Sequence, residues 1–304
     1  MKLVYFGSSQ FAVPALRALA SDVALVVSQP ARPSGRGLKL RRTAVALEAA
    51  ELGLAVVTPD RCRDPQFVEQ LDAVEADAFI VASYGQILPK KVLDLPRAGC
   101  FNLHASLLPK YRGAAPIQYA LLNGDDVTGV TLMLMDEGMD TGGVIAEEAI
   151  RIGREETAGQ LHDRLAVLAA QLVETWIVRL AAGDFQPTAQ DEAHASYAKK
   201  LQKSDGQLNP DNSAQGEFDR FRACTPAPGA YLMTGSGPLK VLQASLSPDE
   251  AGPPGTVVSI KPSLVVAFGQ GALELIQVQP SGRGRMTGMD FANGAHLKPG
   301  ERLV

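Results

Sequence analysis

Leu3-Val4-Tyr5-Phe6-Gly7-Ser8-Ser9-Gln10-Phe11-Ala12 opens the chain with an apolar run, a one-glycine turn and the start of a helical pattern. Consecutive apolar residues bounded by a turn predict a strand buried on both faces. The unit then repeats. Residues 3–6, 24–27, 55–58 and 79–82 read as strands, and residues 11–20, 44–52 and 66–74 between them read as helices. Such alternation predicts an α/β domain, a mostly parallel sheet with helices on both faces. Residues 99–103, 129–135 and 144–149 extend the sheet. Ligands of this architecture bind at the carboxyl ends of the strands, beside the switch in strand order. The first turn holds one glycine, Gly7, where a dinucleotide fingerprint needs three, which argues against a nicotinamide or flavin site.

A length of 304 residues suits two domains. The longest helical pattern, residues 157–182, carries Leu161, Leu165, Leu168, Leu172, Trp176 and Leu180 at helical spacing. Thr157 is placed to cap its start and Gly183 to end it. A first domain over residues 1–183 follows, then a polar, irregular linker over 184–205. A second domain over 206–304 has short strand candidates at 229–233, 239–244, 255–260, 264–268 and 273–278, separated by Gly, Pro and Ser. That texture predicts a small all-β barrel or sandwich.

Hydrophobic residues make up 46% and charged residues 20% of the chain, as in globular proteins. A net charge of −4 gives no global attraction to nucleic acid, so such a partner needs a local basic patch. Cys62, Cys100 and Cys224 are odd in number and far apart, which offers no disulfide framework and points to a reducing cytoplasm. No stretch reaches the roughly 18 consecutive apolar residues of a membrane span.

The chemistry concentrates in Asn102-Leu103-His104-Ala105-Ser106-Leu107-Leu108-Pro109. Strand alternation puts Asn102 and His104 on one face, where an amide and an imidazole can hold a carbonyl oxygen and exchange a proton. Met139-Asp140-Thr141-Gly142-Gly143 adds a carboxylate in a glycine-rich turn, placed to orient His104. Acyl or formyl transfer fits this set better than redox chemistry. His162, His194 and His296 lack zinc-ligand spacing to His104, so no metal is expected. Residues 32–42 carry five positive charges (Arg32, Arg36, Lys39, Arg41, Arg42) and no acid. Their two glycines and proline predict a mobile loop at the carboxyl edge, able to clamp phosphates. Lys110-Tyr111-Arg112-Gly113-Ala114-Ala115-Pro116 is a candidate substrate entrance leading into a helix over 117–122.

Asn102 to Pro109, continued by Arg112-Gly113-Ala114-Ala115-Pro116-Ile117-Gln118, resembles the signature of the methionyl-tRNA formyltransferase family. Gly129-Val130-Thr131, Asp140-Thr141-Gly142, Gln29-Pro30-Ala31-Arg32-Pro33-Ser34-Gly35-Arg36-Gly37 and the closing Pro299-Gly300-Glu301-Arg302-Leu303-Val304 extend the resemblance to both ends. It implies a Rossmann-like first domain and a C-terminal OB-like barrel that contacts tRNA. It implies formyl transfer from 10-formyltetrahydrofolate to methionyl initiator tRNA, with Asn102, His104 and Asp140 catalytic. A folate pocket is implied at Ser83, Tyr84, Gly85, Gln86, Ile87 and Leu88, at Ser106, Leu107, Leu108 and Pro109, and at Asp140, Thr141 and Gly142. The basic segment, Arg32, Arg36, Lys39, Arg41 and Arg42, is the implied tRNA contact. A monomer with no membrane partner is expected. The family's two C-terminal tryptophans are missing: Leu208-Asn209-Pro210 follows Lys200-Leu201, and Thr225-Pro226-Ala227-Pro228 replaces the second.

Three rivals share some of these features. They are a formyltetrahydrofolate enzyme acting on an amino sugar nucleotide or a purine precursor, a formyltetrahydrofolate hydrolase, and a non-catalytic RNA-binding protein.

Overall fold

The computed structural model describes residues 1–34 and 39–304. They form two compact units, the first made of Met1–Pro116, Val127–Ile150 and His162–Ala198, the second of Ile117–Asp126, Arg151–Leu161 and Lys199–Val304. The division is not the contiguous one predicted. The segment read as a linker belongs to the first unit as far as Ala198, because it pairs with that unit's backbone.

Strands of the first part of the chain are β1 (Leu3–Gly7), β2 (Val23–Val27), β3 (Arg32–Ser34), β4 (Lys39–Arg41), β5 (Val56–Val57), β6 (Ala78–Ala82), β7 (Cys100–His104), β8 (Arg112–Gly113), β9 (Val127–Leu134), β10 (Val144–Arg151) and β11 (Tyr197–Ala198). Its helices are α1 (Val13–Leu19), α2 (Ala44–Glu51), α3 (Pro65–Asp72), α4 (Lys90–Leu93), α5 (Pro116–Leu122) and α6 (Ala158–Ala182). Among the described residues, seven strands make the main sheet in the order β10-β9-β7-β6-β1-β2-β5. Pairing is parallel from β5 through β7, and β9 runs antiparallel to β7. Every residue of β1 and β6 is buried, which accounts for their unbroken apolar runs. The chain lays β2 and β5 on one side of β1, then crosses to place β6 and β7 on the other. The crevice expected of a parallel α/β sheet therefore opens at the carboxyl ends of β1 and β6. There Ser8 N–H donates to the Ser83 carbonyl (3.2 Å) and Ser8 Oγ to the Tyr84 carbonyl (2.8 Å).

At the start of helix α6 both the N–H (2.9 Å) and the hydroxyl (3.0 Å) of Thr157 donate to Gln160 Oε1, so Gln160, rather than the Thr157 hydroxyl, supplies the accepting oxygen. Gly183 sits at φ +71° and Asp184 N–H returns to the Arg179 carbonyl at 2.9 Å, closing the last turn. By length and mean composition α6 is apolar enough to cross a bilayer, although polar residues interrupt its apolar run. Its Leu161, Leu165, Ala169, Leu172, Val173, Ile177 and Leu180 are buried within the protein.

The second unit contains β12 (Ala230–Thr234), β13 (Gly237–Ser247), β14 (Val257–Ser259), β15 (Leu264–Ala267), β16 (Ala272–Pro280) and β17 (Met286–Thr287), with α7 (Ala214–Cys224) and α8 (Gly288–Gly294). The strands form an antiparallel sheet, β12-β13-β16-β15-β14, with β17 on β16. A register shift near Gln243 adds a bulge and local bending. The all-β expectation misses both helices. Helix α7 starts at a Ser213 cap, whose Oγ accepts from Gly216 N–H (3.2 Å). It buries Ala214, Phe218, Phe221 and Cys224 among Leu232, Leu239, Val241, Leu273, Leu275 and Val278. Only five apolar positions, Ala214, Phe218, Phe221, Ala223 and Cys224, mark that helix within a charged segment of the sequence.

Phe218 is 1% exposed and its ring stacks on Phe221 with centroids 5.9 Å apart. Phe218→Ala is expected to destabilise the protein by about 3–5 kcal/mol through lost burial and a residual cavity, read as a lowered urea midpoint.

Candidate active site

Strand β7 carries the site at its carboxyl end. Asn102 pairs with Val81 of β6 and Met133 of β9, and His104 with Thr131 of β9. Their two-residue spacing in a central strand places both side chains on one face. His104 is 5% exposed, and its Nε2 lies 2.9 Å from the Tyr111 carbonyl. A carbonyl only accepts, so Nε2 holds a proton, and in the neutral ring Nδ1 keeps a free lone pair. Nδ1 faces Asp140 Oδ2 at 3.7 Å, beyond hydrogen-bond reach. The ring is thus oriented by a backbone carbonyl rather than by Asp140. Asn102 is half-buried, and its carboxamide bonds to no other side or main chain among the described residues.

Asp140 sits in the turn between β9 and β10 at φ +55°, an unusual backbone for a residue with a side chain. Its Oδ2 accepts the Gly113 N–H at 2.8 Å, and its carbonyl accepts from Gln190 Nε2 at 2.8 Å. The second carboxylate oxygen carries no bond within this set. Thr141 Oγ1 donates to Asp136 Oδ1 (2.7 Å), so that hydroxyl is used inside the turn. At Gly142 any Cβ would strike the Leu134 carbonyl, so the turn needs glycine to lie against the end of β9.

The remaining expected residues divide by role. Ser106 is fully buried, and its hydroxyl donates to the Lys110 carbonyl at 2.6 Å. Thr131 Oγ1 donates to the Ser106 carbonyl (2.7 Å) and accepts Leu108 N–H (3.0 Å). Ser106 and Leu108 build the turn after His104, and Leu107 and Pro109 are half-buried around them. After β6, Ser83, Gly85 and Ile87 are exposed at the crevice, whereas Tyr84 and Leu88 are core residues. Tyr84 packs edge-on to Phe6 at 5.3 Å, and burial pushes its phenol above its ordinary pKa. Gln86 Oε1 accepts Cys62 N–H at 2.9 Å. Cys100, two residues before Asn102, is buried and its thiol is pushed far up, so it is no nucleophile here.

The basic segment is paired and not simply loop: β3 and β4 form an antiparallel ladder, Arg32 opposite Arg41 and Ser34 opposite Lys39. Arg32, Lys39, Arg41 and Arg42 are exposed, and Arg36 lies outside the described residues. A groove of about 480 Å³ brings Arg32, Arg41 and Arg42 together with Gln29, Thr43 and Gly85, beside the crevice. Arg112, expected at an entrance, is 0% exposed, its guanidinium taken up by Gln190 and Glu192. A hydrogen bond from this guanidinium holds the Glu192 carboxyl below its ordinary pKa. Sequence reasoning missed Gln190 and Glu192 because they lie in the polar stretch read as linker. Among the described residues, no cluster of three or more His, Cys, Asp or Glu is arranged to hold a metal.

Residues 1–177 match the family model described as formyl transferase, and residues 200–296 match its C-terminal domain. A methionyl-tRNA formyltransferase of Sorangium cellulosum is 44% identical over 306 residues, covering 99% of this chain and 98% of the relative. The chain belongs to the methionyl-tRNA formyltransferase family. Another relative of the same name, from Geobacter metallireducens, is 40% identical and covers 100% and 98% of the two chains. Among solved structures, a Helicobacter canadensis N-formyltransferase in complex with folinic acid and dTDP-3-aminofucose aligns with TM-score 0.68 at 18% identity, covering 90% and 98%. At that identity the likeness concerns the fold alone, so family members and sugar enzymes share an architecture while differing in sequence.

Gly142→Ala is expected to displace the Asp140 turn while leaving the sheet intact. Turnover should fall by about 10²-fold, as for other small misplacements of reacting groups, with the circular dichroism spectrum unchanged.

Proposed function

We propose that the chain transfers the formyl group of 10-formyltetrahydrofolate to the α-amino group of methionyl initiator tRNA, giving N-formylmethionyl-tRNA for translation initiation. The observation that carries this is the convergence of Asn102, His104 and Asp140 at the carboxyl end of a central strand, in a chain whose whole length aligns with methionyl-tRNA formyltransferases. The exposed Ser83, Gly85 and Ile87 at the crevice support a folate site there, with Asp140 at its inner end.

The chemistry follows from the atoms that are free. Attack of the amine on the formyl carbon forms the new C–N bond and puts negative charge on the formyl oxygen. Asn102 offers its unengaged N–H groups to that oxygen. His104, with Nε2 committed to Tyr111, acts through Nδ1, and its protonated ring adds an Nδ1–H beside the Asp140 carboxylate. Asp140 Oδ2 is held by Gly113, which leaves the other oxygen to accept the ammonium proton, directly or through water. The ammonium nitrogen gives up two protons on its way to the amide: one is passed to N10 as the bond from the formyl carbon to N10 breaks, and the other leaves to solvent.

Exposed Arg32, Lys39, Arg41 and Arg42 supply the local positive field that an acidic protein needs to hold tRNA, with Arg36 in the same segment. We assign the second unit an OB-like role in tRNA contact, which its bulged antiparallel sheet supports. A monomer in the cytoplasm fits the buried, unpaired thiols of Cys62, Cys100 and Cys224.

One assay separates the alternatives. 10-Formyltetrahydrofolate is supplied with methionyl initiator tRNA, with an amino sugar nucleotide, or with water alone, and the destination of the formyl group is followed. Formyl on the tRNA is expected, and formylated sugar or free formate as the main product rejects the proposal. Asn102→Ala, His104→Ala and Asp140→Ala are each expected to lower kcat by about 10²–10³-fold in a folded protein. Near-normal turnover removes that residue from the scheme. Replacing Arg36, Lys39, Arg41 and Arg42 together by Ala is expected to weaken tRNA use and flatten its dependence on salt, and an unchanged salt slope excludes the contact.

A further inference from the structure

The stretch from Thr188 to Ala198 is an ordered strap across the Asp140 turn. Thr188 exchanges two backbone bonds with Val144, each 2.8 Å. Tyr197 and Ala198 pair in parallel with Arg112 and Gly113, and Ser196 Oγ accepts Tyr111 N–H at 2.9 Å. Gln190 lies at the centre of the strap. Its Nε2 donates to the Asp140 carbonyl and to the Gly142 carbonyl, both at 2.8 Å. Its Oε1 accepts from Arg112 Nε (3.0 Å) and Arg112 Nη2 (2.8 Å). Two donors and two lone pairs are the full capacity of a carboxamide, so this side chain is saturated and its orientation fixed. Arg112, fully buried, is in turn held by Glu192 through Nη1 (3.0 Å) and Nη2 (2.7 Å).

We propose that Gln190 is a positioning residue for Asp140, itself set in place by the buried Arg112. Asp140 needs such support. Its left-handed backbone is unfavourable for a residue with a Cβ, and nothing in Asp-Thr-Gly alone holds it there. The segment Arg112-Gly113 acts on the carboxylate by two routes. Gly113 N–H binds Oδ2 directly, and Arg112 orients Gln190, which clamps the backbone on both sides of Thr141. Together these restrict where the remaining carboxylate oxygen points. Gln190 bonds only to the carbonyls of Asp140 and Gly142 and to Arg112, so its effect is carried by the aim of the Asp140 carboxylate and falls on the rate of the chemical step more than on substrate affinity.

The inference rests on Asp140 as the proton acceptor of the transfer, and the test separates the two. Gln190→Glu keeps an acceptor for Arg112 but has no N–H to give, and it sets an anion against two carbonyls. Expected are a kcat lowered by about 10²-fold, KM values for folate and tRNA within about threefold of wild type, and a changed pH dependence of kcat. Melting temperature and circular dichroism serve as the check on folding. If Gln190→Glu does not fold, Gln190→Met, of similar length and uncharged, is measured for the same split. A kcat within twofold of wild type, or a loss confined to KM, overturns the role of Gln190. Asp140→Asn is run alongside. Near-wild-type turnover in Asp140→Asn overturns the reading of Asp140 itself, whereas an inactive Asp140→Asn beside an active Gln190→Glu rejects only the clamp.

Discussion

A single hydrogen bond organises the candidate site of this protein: His104 Nε2–H to the Tyr111 carbonyl, 2.9 Å long and buried. It decides which ring nitrogen carries the proton, and therefore which one faces Asp140 with a free lone pair. It also requires the chain to return over the end of β7 within seven residues. The turn from Ala105 to Tyr111 is built for that return, with the Ser106 hydroxyl on the Lys110 carbonyl and Thr131 bracing it from β9. Tyr111 itself adopts φ +63°, held by β8 immediately after it and by Ser196 of the strap. A bond seven residues apart thus depends on a segment more than eighty residues downstream.

The same layout explains how one edge of the sheet serves two chemistries. Parallel strands end together, so Asn102 and His104 on β7 stand near the exposed residues that follow β6. The antiparallel strands β3 and β4 follow β2 in the chain, and Arg32, Arg41 and Arg42 border Gly85 across a groove. On the function proposed above, the folate cosubstrate and the polyanionic tRNA would be met from neighbouring strand ends by a chain whose net charge is −4.

How far the sequence reached is visible residue by residue. The buried strands β1 and β6 and the long helix α6 were legible, because continuous apolar runs, helical leucine spacing and the Gly183 stop report purely local preferences. Asn102, His104 and Asp140 stood out by residue type and by family resemblance, and the structure sets the last two 3.7 Å apart. Helix α7 was missed because its apolar stripe is short and is stabilised by the sheet it covers. Ser106 and Thr141 were expected to meet a ligand, yet their hydroxyls close their own turns.

Local spacing alone determined the α/β character of the first half, the strand-end placement of the reactive pair, and the basic segment. It could not determine partners. That Arg112 is buried and not at an entrance, that Gln190 spans two carbonyls, and that a polar stretch is a strap instead of a linker are all facts of tertiary structure. The physical reason is the range of the forces involved. Apolar periodicity and capping act within a few residues of each other and leave a trace in the sequence. A saturated hydrogen-bond network between residues 112, 140 and 190 leaves none, since any polar residue looks solvated until its partners are brought to it.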